Sequence, residues 1–171
     1  MADADHGLRR LAPAARFILQ GGRPAREAAG RAFRLALPEE ACRAHVGGER
    51  AAPWLGPDEQ LLLAPAGEAG SLHAELDAAL QGLGCSLVEV SQRQMALAVT
   101  GPRARDLIAS GCPLDLDPES FPVGMCARTL FAKAEVVLWR RSAEEYHLEV
   151  ARSFAGYVLD WLREVNRSDY P

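Results

Sequence analysis

Acidic and thiol side chains crowd into one stretch of the sequence, residues 111–130, which reads GCPLDLDPESFPVGMCARTL. Side chains of these types can bind a metal ion, form a nucleophile with acid–base partners, or make turns. A structural zinc site needs four thiolate or imidazole ligands, usually delivered as closely spaced pairs. Cys112 and Cys126 are fourteen residues apart, and the next histidine is His147. The spacing therefore favours two small, partly buried thiols over a metal site.

The same residues are poor candidates for catalysis. A reactive cysteine needs a nearby base and a lowered pKa, whereas Cys112 follows the end of a predicted helix, where the helix dipole disfavours a thiolate. Asp115 and Asp117 stand directly before a proline in an Asp-x-Asp-Pro order that is typical of turns. We therefore predict no catalytic, cofactor-binding or metal-ligating residue in this chain. The stretch is predicted to connect a helix to a strand, anchored inward by Leu114 and Leu116.

The elements that must position these side chains become regular from Trp54 onward. Alternating apolar residues predict strands, and apolar residues at helical spacing predict helices. The predicted order is strand–helix–strand–strand–helix–strand–strand–strand–helix, over residues 60–64, 71–81, 86–91, 94–100, 102–109, 126–132, 134–140, 146–151 and 153–165. A hairpin is expected between the second and third strands, although Gln92-Arg93 is not a favoured turn pair. This order predicts an α+β fold, with helices packed on an antiparallel or mixed sheet.

The last predicted helix has the clearest pattern. Ser71 and Ser153 are predicted to cap the first and last helices. In the last helix six apolar residues recur at helical spacing: Phe154, Tyr157, Val158, Trp161, Leu162 and Val165. Amphipathic packing explains all six positions, so the whole stripe is predicted to lie in the hydrophobic core and not to bind a cofactor.

Residues 1–53 differ in composition from the rest. They are rich in Ala, Gly, Pro and Arg with weak periodicity, which predicts an extended basic N-terminal arm with one or two short strands, followed by an α+β domain over residues 54–171. Residues 1–50 hold nine arginines and six acidic residues, whereas the remainder is net acidic. Such an arm is expected either to meet another surface or to be a solvated terminus.

Composition argues against several classes of function. The net charge of −4 argues against nucleic-acid binding, and no apolar run is long enough to span a membrane. The first twenty residues lack the apolar centre of a secretory signal, and the four cysteines form no Cys-x-x-Cys pair. We therefore expect a cytoplasmic protein with reduced thiols.

An ordered series of short motifs extends from about residue 54 to residue 165. The motifs are Trp54-Leu55-Gly56-Pro57-Asp58-Glu59, Val88-Glu89-Val90-Ser91-Gln92-Arg93, Gly101-Pro102-x-Ala104-Arg105, Cys112-Pro113-Leu114-Asp115-Leu116, Phe121-Pro122-Val123-Gly124, Cys126-Ala127-Arg128-Thr129, Leu138-Trp139-Arg140, Ser153-Phe154-Ala155 and Trp161-Leu162. Each motif is weak alone, but in this order the set resembles the gamma subunit of heterotetrameric sarcosine oxidase. The fold of that family is similar to the folate-binding domain of the glycine-cleavage aminomethyltransferase, in agreement with the α+β order.

The resemblance implies a non-catalytic, structural subunit. The complex it points to oxidatively demethylates sarcosine to glycine, with formaldehyde (or methylene-tetrahydrofolate) and hydrogen peroxide as further products. In that family the alpha and beta subunits carry FAD, FMN, NAD and tetrahydrofolate, and gamma carries none. The expected partners are therefore the alpha, beta and delta subunits. Five arginines of the arm are expected to contribute to the contact with alpha: Arg9, Arg10, Arg16, Arg23 and Arg26.

Two alternatives stay open at this point. Folate enzymes of this fold carry a Gly-Glu-x-Gly-aromatic-Glu segment where this chain reads Arg141-Ser142-Ala143-Glu144-Glu145-Tyr146-His147. The missing glycines argue against folate binding, yet a stand-alone folate-dependent or methyl-transferring enzyme remains one alternative. The other is the same kind of subunit in a related N-methyl amine oxidase or dehydrogenase, which nothing in the sequence excludes.

Overall fold

A computed structural model describes residues 7–168 of the chain, which divides into two compact units. Within the described residues, unit 1 combines residues 7–12 with residues 93–168, and unit 2 is Pro13–Gln92. In chain order the elements are β1 (Leu8–Arg10), β2 (Ala14–Gly21), α1 (Arg23–Phe33), β3 (Ala44–Gly47), β4 (Arg50–Gly56), β5 (Glu59–Pro65), α2 (Ala69–Leu80), β6 (Cys85–Glu89), β7 (Gln94–Thr100), α3 (Ala104–Ala109), β8 (Cys126–Phe131), β9 (Ala134–Ser142), β10 (Glu145–Ala151) and α4 (Arg152–Arg167).

Each unit contains one five-stranded antiparallel sheet and two of these helices, which confirms the predicted α+β fold. The strand order is β1-β7-β10-β9-β8 in unit 1 and β3-β4-β5-β2-β6 in unit 2. Every pairing found between these strands is antiparallel. From β5 to α4 the predicted order of strands and helices is also confirmed, because each of those segments carries a strong period-2 or helical pattern.

Each unit has its own apolar core between its sheet and its helices. In unit 1 the core is built by one face of the sheet with α3 and α4, including Leu97, Leu107, Leu148, Val158 and Leu162. In unit 2 it is built with α1 and α2, including Phe17, Phe33, Leu62, Leu72 and Leu76. Burial of this apolar area is the main favourable term in folding.

The prediction of an extended arm over residues 1–53 is wrong for the part that the structure describes. Residues 8–53 hold β1, β2, α1, β3 and most of β4, and β2 lies between β5 and β6 with Phe17 fully buried. The partners that cover Phe17 come from residues far along the chain, so the composition of the segment alone does not reveal them. The unit boundaries consequently fall near residues 12 and 92, not at residue 53. Residues 1–6 lie outside the described part.

The predicted hairpin between β6 and β7 is also wrong. Strand β6 pairs with β2 in unit 2, whereas β7 pairs with β1 and β10 in unit 1. The linking pair Gln92-Arg93 is not one of the residue pairs that favour a tight hairpin turn. The chain therefore passes from one sheet to the other at this point.

The two predicted serine caps are wrong, because the N-cap residues are Glu68 in α2 and Ala151 in α4, and neither helix has a side-chain capping hydrogen bond. Helix α2 begins at Ala69, and the hydroxyl of Ser71 donates to the carbonyl oxygen of Glu68 at 3.1 Å. Helix α4 begins at Arg152, so Ser153 lies inside it. Both helices nevertheless bury the predicted leucines on their inner faces, Leu72, Leu76 and Leu80 in α2 and Leu162 in α4.

None of the helices found in residues 7–168 has both the length and the apolar character that a membrane crossing requires.

Candidate functional site

The acidic side chains of residues 111–125 shape turns in the connection between α3 and β8. The carboxylate of Asp115 accepts hydrogen bonds from the backbone N–H of Asp117 at 3.0 Å and from the hydroxyl of Ser120 at 2.7 Å. These two donors hold the pKa of the Asp115 carboxyl below its usual range. Asp117 in turn accepts from the N–H of Glu119 at 3.0 Å. The carboxylates therefore stabilise the loop backbone, as Asx turns do.

The side chain of Arg140 fastens this connection to the body of unit 1. It is 5% exposed, and its guanidinium donates to the carbonyl oxygens of Phe121 at 2.8 Å, Ala143 at 3.1 Å and Ser142 at 3.3 Å. The guanidinium carbon also lies 5.6 Å from the centre of the Tyr146 ring. Hydrogen bonds from a charged donor are about twice as strong as neutral ones. Arg140 thus joins the α3–β8 connection to the β9–β10 turn.

Backbone hydrogen bonds complete this attachment. The N–H of Gly124 donates to the carbonyl oxygen of Arg140 at 2.8 Å, and the N–H of Arg140 donates to that of Met125 at 2.9 Å. The sequence indicated Arg140 only as part of the motif Leu138-Trp139-Arg140 and not for this role, although a signal for the role was present. Val136, Leu138 and Arg140 share one face of β9 because side chains alternate along a strand, and that face lines the core.

The thiol and imidazole groups of unit 1 have separate partners. The Cys112 sulfur lies 4.0 Å from the hydroxyl oxygen of Thr129. On the other face of the sheet, His147 Nε2 lies 2.8 Å from a carboxylate oxygen of Glu149, and both side chains are buried. The His147 ring is also 5.5 Å from the ring of Trp139. Within residues 7–168 no cluster of three or more His, Cys, Asp or Glu side chains could hold a metal ion.

Tyr146 lies in β10, within the segment 141–147 that was compared above with the folate-enzyme motif. Its ring is fully buried in the core of unit 1, and within residues 7–168 its hydroxyl has no hydrogen-bond partner. Burial raises the pKa of the Tyr146 phenol above its ordinary value. The side chain therefore serves packing, at the cost of one buried polar atom without a partner.

We expect Tyr146→Phe to increase the free energy of unfolding by about 1 kcal/mol, since it removes that unpartnered hydroxyl and keeps the ring. Because the folded-state pKa is raised, the unfolded chain ionises first as pH rises above about 10, and wild-type stability falls there. The variant should lose less stability over that interval. Urea denaturation at neutral and alkaline pH measures both effects. Tyr157→Phe, at an exposed tyrosine, is the matched control, and an equal gain there would contradict the explanation.

Three of the six residues predicted to be core on α4 are substantially exposed. Val158 and Leu162 are buried, but Phe154 is 43%, Tyr157 38% and Trp161 37% exposed. The prediction of a wholly buried stripe is therefore wrong at these three positions, which we call the aromatic strip. Helical spacing places them on one flank of the buried stripe, where the helix surface is open to solvent.

The arginines expected to contact a partner have different environments. Arg16 is buried within β2 and donates to the carbonyl oxygen of Ala14, so it is unavailable for an external contact. Arg26 is mostly covered and lies 3.9 Å from Glu39. Arg9, Arg10 and Arg23 are exposed.

Unit 2 also carries an arginine-lined groove of about 410 Å³ beside the C-terminal half of α1. Its lining combines guanidinium groups with a short apolar floor: Arg26, Arg31, Arg34, Gly30, Leu35 and Leu37. Arg34 adopts a left-handed backbone conformation at the end of the helix, which turns the following segment back across Gly30. Glu27 and Glu39 also line the groove, so three arginines and two glutamates share its wall.

The two antiparallel sheets and four helices define the fold of the aminomethyltransferases. The chain is similar to the glycine cleavage system aminomethyltransferase T of Bartonella henselae, with a TM-score of 0.73 and 17% identity over 94% of this chain and 46% of that one. The sarcosine oxidase gamma subunit family model matches residues 20–168. The chain therefore belongs to the sarcosine oxidase gamma subunit family, and the match begins well before residue 54.

Curated relatives and a solved structure agree with this membership. Sarcosine oxidase subunit gamma of Corynebacterium sp. (strain P-1) is 36% identical over 109 residues, and that of an Arthrobacter sp. is 35% identical over the same length. Each alignment covers 64% of this chain and 53% of the relative. The aligned part thus spans about half the length of these relatives. A chain of heterotetrameric sarcosine oxidase from Corynebacterium sp. U-96 matches with a TM-score of 0.85 and 26% identity, over 96% of this chain and 87% of that one.

Proposed function

We propose that this chain is a non-catalytic assembly subunit of a heterotetrameric sarcosine oxidase. The observation that carries the proposal is the family match over residues 20–168, which includes parts of both units. The complex would oxidise the N-methyl amine of sarcosine to an imine and pass the electrons through flavins to oxygen. Glycine, hydrogen peroxide and formaldehyde (or methylene-tetrahydrofolate) would result. The same role in a complex that acts on another N-methyl amine is the nearest variant of this proposal.

In this proposal the chemistry belongs to partner chains. FAD, FMN, NAD and tetrahydrofolate would be bound by alpha and beta, and the partners would be the cytoplasmic alpha, beta and delta subunits. The contacts of the side chains in this chain that could do chemistry support this assignment of the chemistry to the partners. Asp115 and Asp117 accept hydrogen bonds from their own loop, Arg140 donates to main-chain carbonyls and Tyr146 packs in the core. Each is accounted for by a contact that stabilises the fold.

Co-expression tests the proposal directly. The chain, carrying an affinity tag, is produced together with candidate alpha, beta and delta subunits and purified. We expect all three to co-purify, and the complex to show flavin absorbance that the isolated chain lacks. Sarcosine should then reduce the flavin in the complex. Purification of the tagged chain alone, from cells that contain the three partners in folded form, would contradict the proposal.

A stand-alone folate enzyme is the second candidate, favoured only by the similarity of fold to an aminomethyltransferase. It predicts that the isolated chain binds tetrahydrofolate. Titration calorimetry and thermal unfolding at saturating tetrahydrofolate distinguish the two. Binding heat with an increase in melting temperature would support this candidate over the assembly role.

The exposed arginines of residues 9–23 give a charge-reversal prediction. We expect the triple variant Arg9→Glu, Arg10→Glu and Arg23→Glu to lower the yield of co-purified alpha severalfold. In the proposal these arginines face acidic side chains of alpha, and the glutamates would place like charges across that interface. Arg105→Glu, which reverses a half-exposed arginine on α3, is the control and should assemble normally. Unchanged recovery of alpha by the triple variant would remove these arginines from the interface.

A further inference from the structure

The aromatic strip is exposed, yet the side chains at its C-terminal end are held in defined positions. The Trp161 ring lies 6.4 Å from the buried Phe131 ring and 6.2 Å from the Tyr157 ring, both in edge-to-face geometry. The indole N–H of Trp161 donates to the hydroxyl of Ser110 at 3.2 Å. The strip is therefore an outward continuation of the core of unit 1. Rigid, partly exposed aromatic side chains lose little entropy on binding, and they are enriched among the residues that dominate protein interfaces.

The border of the strip is acidic. Asp160 and Glu164 follow Tyr157 and Trp161 by three residues, so helical geometry makes them neighbours on the surface of α4. Their side chains are 78% and 80% exposed. Asp160 lies 3.6 Å from Arg163, and Glu164 lies 3.9 Å from Arg167. Exposed ion pairs of this kind contribute little to stability and are screened by salt.

We propose that the aromatic strip is the docking surface for another subunit of the assembly, and that this subunit presents an apolar pocket rimmed by lysine or arginine. The inference rests on the proposed function for the existence of that subunit. The apolar centre would bury Phe154, Tyr157 and Trp161, and the basic rim would meet Asp160 and Glu164. Aromatic anchors surrounded by complementary charge are the arrangement in which a few side chains carry most of the affinity.

The charge of the border argues against a second copy of this chain as the occupant. Two copies that meet through the same strip would bring Asp160 and Glu164 of each close to those of the other, and like charges across an interface are unfavourable. A small ligand is also disfavoured, since the strip lies on one helix face and small-molecule sites are concave. A basic partner surface satisfies both constraints.

Two variants of the co-expressed complex test the inference. The double variant Tyr157→Ala and Trp161→Ala removes the anchors, and we expect its affinity for the partner subunits to fall at least about tenfold. Asp160→Lys with Glu164→Lys leaves the aromatic rings in place, and we expect a loss of about three- to tenfold that grows at low salt. The second variant keeps the test decisive if the first fails to fold, which circular dichroism reports.

The control carries the same charge change on the other unit: Glu75→Lys with Asp77→Lys on α2, which should assemble like wild type. If wild type assembles and both strip variants assemble equally well, the inference is overturned while the proposed function stands. If wild type fails to co-purify with folded partners, the proposed function fails and the inference with it. If the strip variants only convert a dimer of this chain to a monomer, the occupant is a second copy and the inference is overturned.

Discussion

Arg140→Met is expected to lower the free energy of unfolding by about 3 kcal/mol, because it removes the charged donor from one buried and two partly buried hydrogen bonds. The guanidinium donates to three main-chain carbonyls, those of Phe121, Ser142 and Ala143. Methionine has a similar length and fills the space, so the loss measures the hydrogen bonds more than a cavity. Backbone amide hydrogens of the α3–β8 connection and of the β9–β10 turn should both exchange faster, because Arg140 joins these two segments. Urea denaturation and amide exchange make the measurements.

The neighbouring arginine provides the control for this experiment. Arg141 is exposed, lies 3.7 Å from Glu145 and stacks over the Trp139 ring, so Arg141→Met should cost less than about 1 kcal/mol. Arg140→Lys keeps the charge but loses the planar fork that reaches several carbonyls at once, and it should fall between wild type and Arg140→Met. Equal losses at positions 140 and 141 would show that the carbonyl contacts of Arg140 contribute little.

The contacts of Arg140 also explain why two of the family motifs occur together. Phe121-Pro122-Val123-Gly124 and Leu138-Trp139-Arg140 are distant in sequence, but Arg140 donates to the Phe121 carbonyl and accepts from the Gly124 N–H. The sequence itself gives no physical link between the two motifs. The structure supplies that link, which is a packing requirement of the α3–β8 connection.

Elements with a strong local pattern could be predicted from the sequence, whereas those that depend on distant partners could not. The strands and helices from β5 to α4 were predicted in the correct order, because alternation and helical spacing are local properties. Short strands were expected in residues 1–53, but the central position of β2 in its sheet was not, because its pairing partners β5 and β6 begin about forty and sixty-five residues later. Helix α1 was missed because its buried face is mostly alanine, which gives little hydrophobic contrast.

The candidate surface was harder to predict than the fold. Helical spacing groups Phe154, Tyr157 and Trp161 with Val158 and Leu162, but spacing alone does not say how wide a face the sheet can cover. In the structure Val158 is fully buried whereas the adjacent Tyr157 is 38% exposed, so the buried face of the helix ends between these two side chains. Exposure of an amphipathic helix is thus decided by tertiary packing, and the aromatic strip could be recognised only once that packing was known.

Gly111→Ala is expected to lower the free energy of unfolding by about 2 kcal/mol, because the site has no room for a methyl group. A Cβ at this position would lie 2.8–3.0 Å from three ring atoms of Phe131. Phe131 is fully buried in the core of unit 1. The carbonyl oxygen of Gly111 also accepts from the N–H of Ala132 at 2.7 Å, so the backbone at 111 is not free to retreat. The added methyl must therefore displace the Phe131 ring.

The matched control is the same substitution where space is available. A Cβ at Gly156, within α4, meets no atom within 4 Å, so Gly156→Ala should raise the free energy of unfolding by about 0.5–1 kcal/mol through helix propensity. The two glycine variants are thus expected to change stability in opposite directions. Because Phe131 packs edge-on against Trp161, Gly111→Ala should also shift tryptophan fluorescence and weaken assembly through the aromatic strip. A Gly111→Ala protein as stable as wild type would mean that the Phe131 ring can move without loss, and the rigidity assigned to Trp161 would have to be abandoned.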